Sequence, residues 1–160
     1  MNPVAKVFLQ GIERSNMFID VFTSGMEGED WLRQPGGAPN CALWHLGHLA
    51  HQRGRFLEML TGREHCEAEW GVLFDLGSPP CDGSALPDLE TCRRVLDARL
   101  ADLRTWLETA GKEDMAAPPA RGTNFFPRRA DALSHLSHHE AHHTGCLSML
   151  RRMQGKDKVI

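Results

Sequence analysis

Apolar positions along this chain recur at helical spacing in four long stretches, separated by three clusters of proline and glycine. The breakers run from Gly25 to Pro39, from Gly62 to Pro87 and from Gly111 to Pro127. The first stretch, about 3–24, places Val4, Val7, Phe8, Gly11, Ile12, Ile19 and Phe22 near one helical face. The second, about 40–61, carries Leu43, Leu46, Leu49, Ala50, Phe56, Leu57 and Leu60, and Gly62 supplies a stop. The third, about 88–110, opens on Asp88 as an N-cap and continues through Leu89, Cys92, Val95, Leu96, Leu103, Trp106 and Leu107. The fourth, about 127–154, starts at Pro127, runs through Leu133, Leu136, Leu147 and Leu150, and ends on Arg151 and Arg152. No alternating strand pattern of useful length competes with these readings.

Four matched amphipathic helices, each about 33 Å long, bury their stripes most economically against one another. The expected fold is therefore all-α, a four-helix bundle forming one domain over residues 1–160. The linker between the second and third helices, about 26 residues, is long for a bundle connection of ~2–8 residues. It predicts a long crossover, with the apolar segment Trp70-Gly71-Val72-Leu73-Phe74 inside it.

Composition agrees and narrows the class. Of the 160 residues, 41% are hydrophobic and 24% charged, ordinary values for a globular domain. A net charge of −3 gives no basic footprint for nucleic acid. No apolar run approaches the ~20 residues that span a bilayer, and the amino-terminal residues lack a signal-peptide pattern. Five cysteines, Cys41, Cys66, Cys81, Cys92 and Cys146, form no Cys-x-x-Cys pair. They read as small buried hydrophobes in a reduced, cytoplasmic protein.

The outlying number is nine histidines with no tyrosine. Eight fall on two of the four helices: His45, His48 and His51 on the second, and His135, His138, His139, His142 and His143 on the fourth. The fourth helix holds three i,i+4 pairs, His135/His139, His138/His142 and His139/His143, and such pairs lie one turn apart on one face. Zinc–nitrogen bonds of ~2.0–2.1 Å can close that gap, and the facing second helix offers a third imidazole. An all-imidazole set with a free coordination position suits zinc, nickel, copper or iron and disfavours magnesium and calcium. For His45, His51, His65 and His135 an ordinary surface or satisfied buried role is the better reading. Ligand histidines must be neutral, so metal affinity is expected to fall below their usual pKa of ~6.5.

The strings Trp44-His45-Leu46-Gly47-His48-Leu49, Trp70-Gly71-Val72-Leu73-Phe74-Asp75-Leu76-Gly77 and Leu136-Ser137-His138-His139-Glu140-Ala141-His142-His143-Thr144-Gly145 resemble the DinB/YfiT-like superfamily. The resemblance implies a four-helix bundle with a long crossover, forming a homodimer. It further implies a divalent ion, nickel or zinc, on one histidine of the second helix and two of the fourth. Carried over by position, these are His48, His139 and His143, with Cys146 where the family has glutamine. His138/His142 is the alternative register, and His45 lies close enough on its helix to approach the same site.

A divalent ion on three imidazoles would acidify a bound water, giving hydrolysis of a small molecule, or deprotonate a bound thiol. For the latter the resemblance implies transfer of a low-molecular-weight thiol or a thiol-dependent isomerisation. Gln52 and Arg55, one and two turns beyond His48, could face the substrate. With no tyrosine, a proton carrier must be a spare histidine, a carboxylate or water. A non-catalytic metal-binding stress or sensor protein, and a plain helical interaction module, are the competing classes.

Overall fold

The computed structural model describes residues 1–79, 83–122 and 125–160. The described residues form six α-helices: α1 (Pro3–Thr23), α2 (Ala42–Thr61), α3 (Trp70–Phe74), α4 (Leu89–Thr109), α5 (Lys112–Ala116) and α6 (Arg129–Met153). There is no β-strand among the described residues. Short 3-10 turns at Gly28–Trp31 and Pro35–Gly37 lie between α1 and α2.

Local chemistry explains the ends. Asn2 caps α1 by accepting from the Val4 amide at 2.8 Å, with Pro3 in the first turn. Asp88 caps α4 by accepting from the Thr91 amide at 2.7 Å. Gly62 ends α2 in the left-handed region (φ 77°), its amide donating to the Glu58 carbonyl at 2.8 Å. The last helix starts two residues later than the Pro127 reading. There the Arg129 amide is tied to the Ala117 carbonyl at 2.8 Å, and the Arg128 guanidinium grips Asp131 across the first turn.

Each of the long helices α1, α2, α4 and α6 packs against two others, in the ring α1–α6–α2–α4–α1. The buried stripe of α1 is rotated from the expected one. Ala5, Leu9, Ile12, Ile19 and Phe22 face inward, while Val4 and Val7 are exposed. Ala5, Ile12 and Ile19 recur every seven residues, two helical turns, and so lie almost in line, whereas Val4 and Val7 are turned roughly 80° and 140° from Ile12 at about 100° per residue.

Two apolar clusters fill the interior. One holds Ile19, Phe22, Leu46, Leu49, Phe74, Leu96, Leu147 and Leu150; the other holds Leu9, Ile12, Phe56, Leu60, Leu103, Leu107, Leu133 and Leu136. Between them sits a polar layer around Arg53, which is fully buried. Its guanidinium donates to Glu140 of α6 at 2.7 and 3.2 Å, to Asn16 of α1 at 2.9 Å and to the Leu96 carbonyl of α4 at 3.2 Å. One side chain of α2 thus bonds to each of the other three long helices.

Within the connection from α2 to α4, the short helix α3 docks onto α2. Trp70 and Phe74 are buried, and the Trp44 indole donates to the Leu73 carbonyl at 3.0 Å. Gly47 is required here, because a Cβ at that position would enter the Phe74 ring. Cys41 and Cys92 are buried and Cys66 and Cys146 half-buried; Cys81 lies outside the described residues.

Candidate metal centre

His48 lies on the inward side of α2, and His139 and His143 sit one turn apart on the facing side of α6. The structure brings one ring nitrogen of each to within 4.8 Å of the others. His48 and His143 are buried, and His139 is partly so. In the alternative register His138 and His142 are both exposed, and His138 turns back to the Ser134 carbonyl.

Hydrogen bonds fix which nitrogens face inward. His48 Nδ1 lies 2.8 Å from the Phe74 carbonyl, which can only accept, so the proton sits on Nδ1 and the Nε2 lone pair is free. That Nε2 is 2.8 Å from His139 Nε2, so in the neutral pair His139 is the donor. His139 Nδ1 is then a buried acceptor with no hydrogen-bond partner among the described residues. His143 Nδ1 is 2.9 Å from His45 Nδ1, which leaves His143 Nε2 for the cluster. Trp44 stacks on His48 with ring centroids 4.6 Å apart.

Burial keeps these rings neutral. It pushes His45 and His48 down to about 4, His139 to about 3 and His143 to about 2, and the charges of neighbouring rings add to the effect. For His48 the Phe74 carbonyl and Asp75 pull the other way without reversing it. Three neutral imidazoles with converging nitrogens fit a divalent transition ion by donor chemistry, with no net loss of a proton at pH 7: His139 need only carry its proton on Nδ1 instead of Nε2.

The three rings open into a cavity of about 390 Å³, lined also by Trp44, Asp75 and Leu76. Asp75, just after α3, accepts from or pairs with His51 Nε2 at 3.0 Å and lies 3.9 Å from Arg55 Nε. Gln52 and Arg55 do not line this cavity; Arg55 instead reaches Glu58 at 3.2 Å. His65 bonds to Thr61 and His135 packs beside Phe56 and Phe126, so both have the ordinary roles expected. His51 is buried; its Nε2 pairs with Asp75, while its Nδ1 has no hydrogen-bond partner among the described residues.

His45 is the correction: it touches His143 and belongs to the site. The signal was present, since it precedes His48 by three residues and so shares its face. Asp75 was also missed, because a carboxylate in a linker carries no periodicity to place it. Arg53 and Glu140 were missed too. Each stands at a core step of an apolar seam, Leu46–Leu49–Arg53–Leu57–Leu60 and Leu133–Leu136–Glu140–Leu147. Opposite charges at the same level of two facing seams were the available sign.

Residues 13–147 match a family model described as the DinB superfamily, a span that includes all three clustered histidines, His45, Arg53, Asp75 and Glu140. No curated protein matches the chain.

Proposed function

The chain belongs to the DinB superfamily, and from that premise we propose that it is a metal-dependent enzyme acting on a small molecule, a hydrolase or a thiol S-transferase. The observation that carries this reading is the convergence of His48, His139 and His143 at the wall of an open cavity. Zinc or nickel is the ion we assign, held by His48, His139 and His143. When bound, such an ion supplies the charge that makes a water or a thiol acidic near neutral pH. We read residues 1–160 as one four-helix-bundle domain with its crossover between α2 and α4. The shared anchorage of all four long helices on Arg53 supports this.

The chain's own residues take defined parts. The Phe74 carbonyl orients His48, and His45 orients His143, as outer partners of metal-binding imidazoles do. Asp75 is the proton acceptor: it lines the cavity and is held by buried His51. Trp44, buried and stacked on His48, excludes water from one side. No cysteine or carboxylate joins the three histidines as a fourth clustered ligand among the described residues, which favours a reactive site over a closed one.

Metal analysis of protein purified without a metal-affinity column tests the reading. One equivalent of zinc or nickel per chain, lost in His48→Ala, is expected. Cobalt-substituted protein should also change its visible spectrum with azide or ethanethiol. No stoichiometric metal overturns the proposal, and metal with no spectral response makes the site a closed, non-catalytic one.

A further inference from the structure

Beside the histidine cavity lies a second hollow of about 370 Å³. The two adjoin along Pro39, Asn40, Trp44 and His143. Their characters differ. The second is bounded on α6 by Leu150, Met149 and Met153 and, across from them, by Ala38 and Pro39 before α2. Its polar members are Asn40, His45, His142, His143 and Cys146, of which Asn40 and His143 also line the histidine cavity.

A single seam of α6 joins the two spaces. His139, His143, Cys146, Leu150 and Met153 follow one another at steps of three and four residues, so they line one face of the helix. The imidazoles occupy its first half and apolar side chains its second. From His143 to Met153 the seam runs about 15 Å at 1.5 Å per residue. The opposite bank is held close to it: Gly36 has a left-handed backbone (φ 63°), and a Cβ there would lie 2.7 Å from the end of the Met153 side chain. Unbranched methionine walls adapt to flexible apolar ligands, and the volume falls within the ~300–1,000 Å³ of small-molecule sites.

We propose that this hollow is the subsite for the aliphatic tail of the substrate, whose donor head group lies among His48, His139 and His143. The inference rests on the function proposed above and extends it to a substrate class: a small amphiphile with a metal-binding head and a hydrocarbon tail. The lining that the two hollows share, Pro39, Asn40, Trp44 and His143, together with the passage of the α6 seam from imidazole to apolar side chains, selects this occupant. Met149, 64% exposed, gates the outer end and can be changed without disturbing the core.

Cobalt-loaded protein titrated anaerobically with ethanethiol, butanethiol and hexanethiol tests it, with the thiolate-to-cobalt absorption band as the readout. Affinity should rise about threefold to fourfold per added methylene. Met149→Glu should abolish that gain and leave ethanethiol binding unchanged, and Met149→Trp should do the same by filling the space. If ethanethiol binds but chain length has no effect, the subsite is overturned while the metal-centre reading stands. If the gain persists in both variants, the tail lies elsewhere and the subsite is again overturned. If Met153→Glu instead splits a dimer, the hollow is a contact between copies and the proposal fails. If no thiol and no azide perturbs the cobalt spectrum, the function itself falls, and the subsite with it.

Discussion

Arg53 and Glu140 form a fork-to-fork ion pair with no solvent exposure on either side chain, at 2.7 and 3.2 Å, midway between the two apolar clusters. Glu140 follows His139 directly, and Arg53 lies five positions beyond His48. The pair therefore sets the rotation of α6 against α2, and with it the facing of the histidines. Removing one partner strands a buried charge, which costs ~3–5 kcal/mol, more than a well-paired bridge contributes. Glu140→Gln and Arg53→Met should each lower urea-unfolding stability by about that amount. The double variant Arg53→Met/Glu140→Leu should recover most of it. A double variant no more stable than the singles would show that the bonds to Asn16 and Leu96, rather than the uncompensated charge, dominate.

His45 makes a prediction about affinity rather than stoichiometry. Its Nδ1 is 2.9 Å from His143 Nδ1, so it orients the ring without standing among the three clustered nitrogens. Partners of this kind typically change metal affinity ~10–100-fold. His45→Phe should therefore weaken zinc binding by that factor, measured by competition with a chelating dye, while saturating at one ion per chain. His138→Ala and His142→Ala, at exposed positions, should leave affinity unchanged.

Gly47 couples the crossover to the site. A side-chain carbon there would push into the Phe74 ring, and the carbonyl of Phe74 holds His48 at 2.8 Å. Gly47→Ala should cost ~1–3 kcal/mol through overpacking and also reduce metal affinity. Adding Phe74→Leu should restore part of the stability, as read by thermal unfolding of the two variants side by side.

Why the sequence revealed some of this and concealed the rest follows from range. The four long helices were legible within a residue or two because capping groups such as Asp88 and stops such as Gly62 act on their own neighbours. The rotation of α1 was not, since Val4 and Ala5 differ in burial only through what packs opposite them. The His139/His143 register depended on which side of α6 faces α2, and that is decided by Glu140 meeting Arg53 across 87 positions. Asp75 reaches the histidine cavity only because Trp70 and Phe74 dock their short helix on α2.

Acid sensitivity separates the folded chain from its metal. His45 and His48 are held down at about 4 and His139 at about 3, chiefly by burial, against 6.5 for an unburied ring. Between pH 6.5 and about 4 the unfolded chain binds protons that the folded chain refuses. Stability of the metal-free protein is thus full above pH 6.5 and declines as pH falls through that window, by up to ~1.4 kcal/mol per pH unit for each ring involved. Metal binding obeys the folded-state values instead, because protons compete only for rings already in the cluster. Affinity should therefore hold nearly constant from pH 7 to about 5, well below the point at which solvent-exposed imidazoles release an ion. Thermal melts of chelator-treated protein from pH 8 to 4, beside zinc titrations over the same range, separate the two curves. A common midpoint near pH 6.5 for both would mean that the cluster is hydrated and titrates as exposed histidine does.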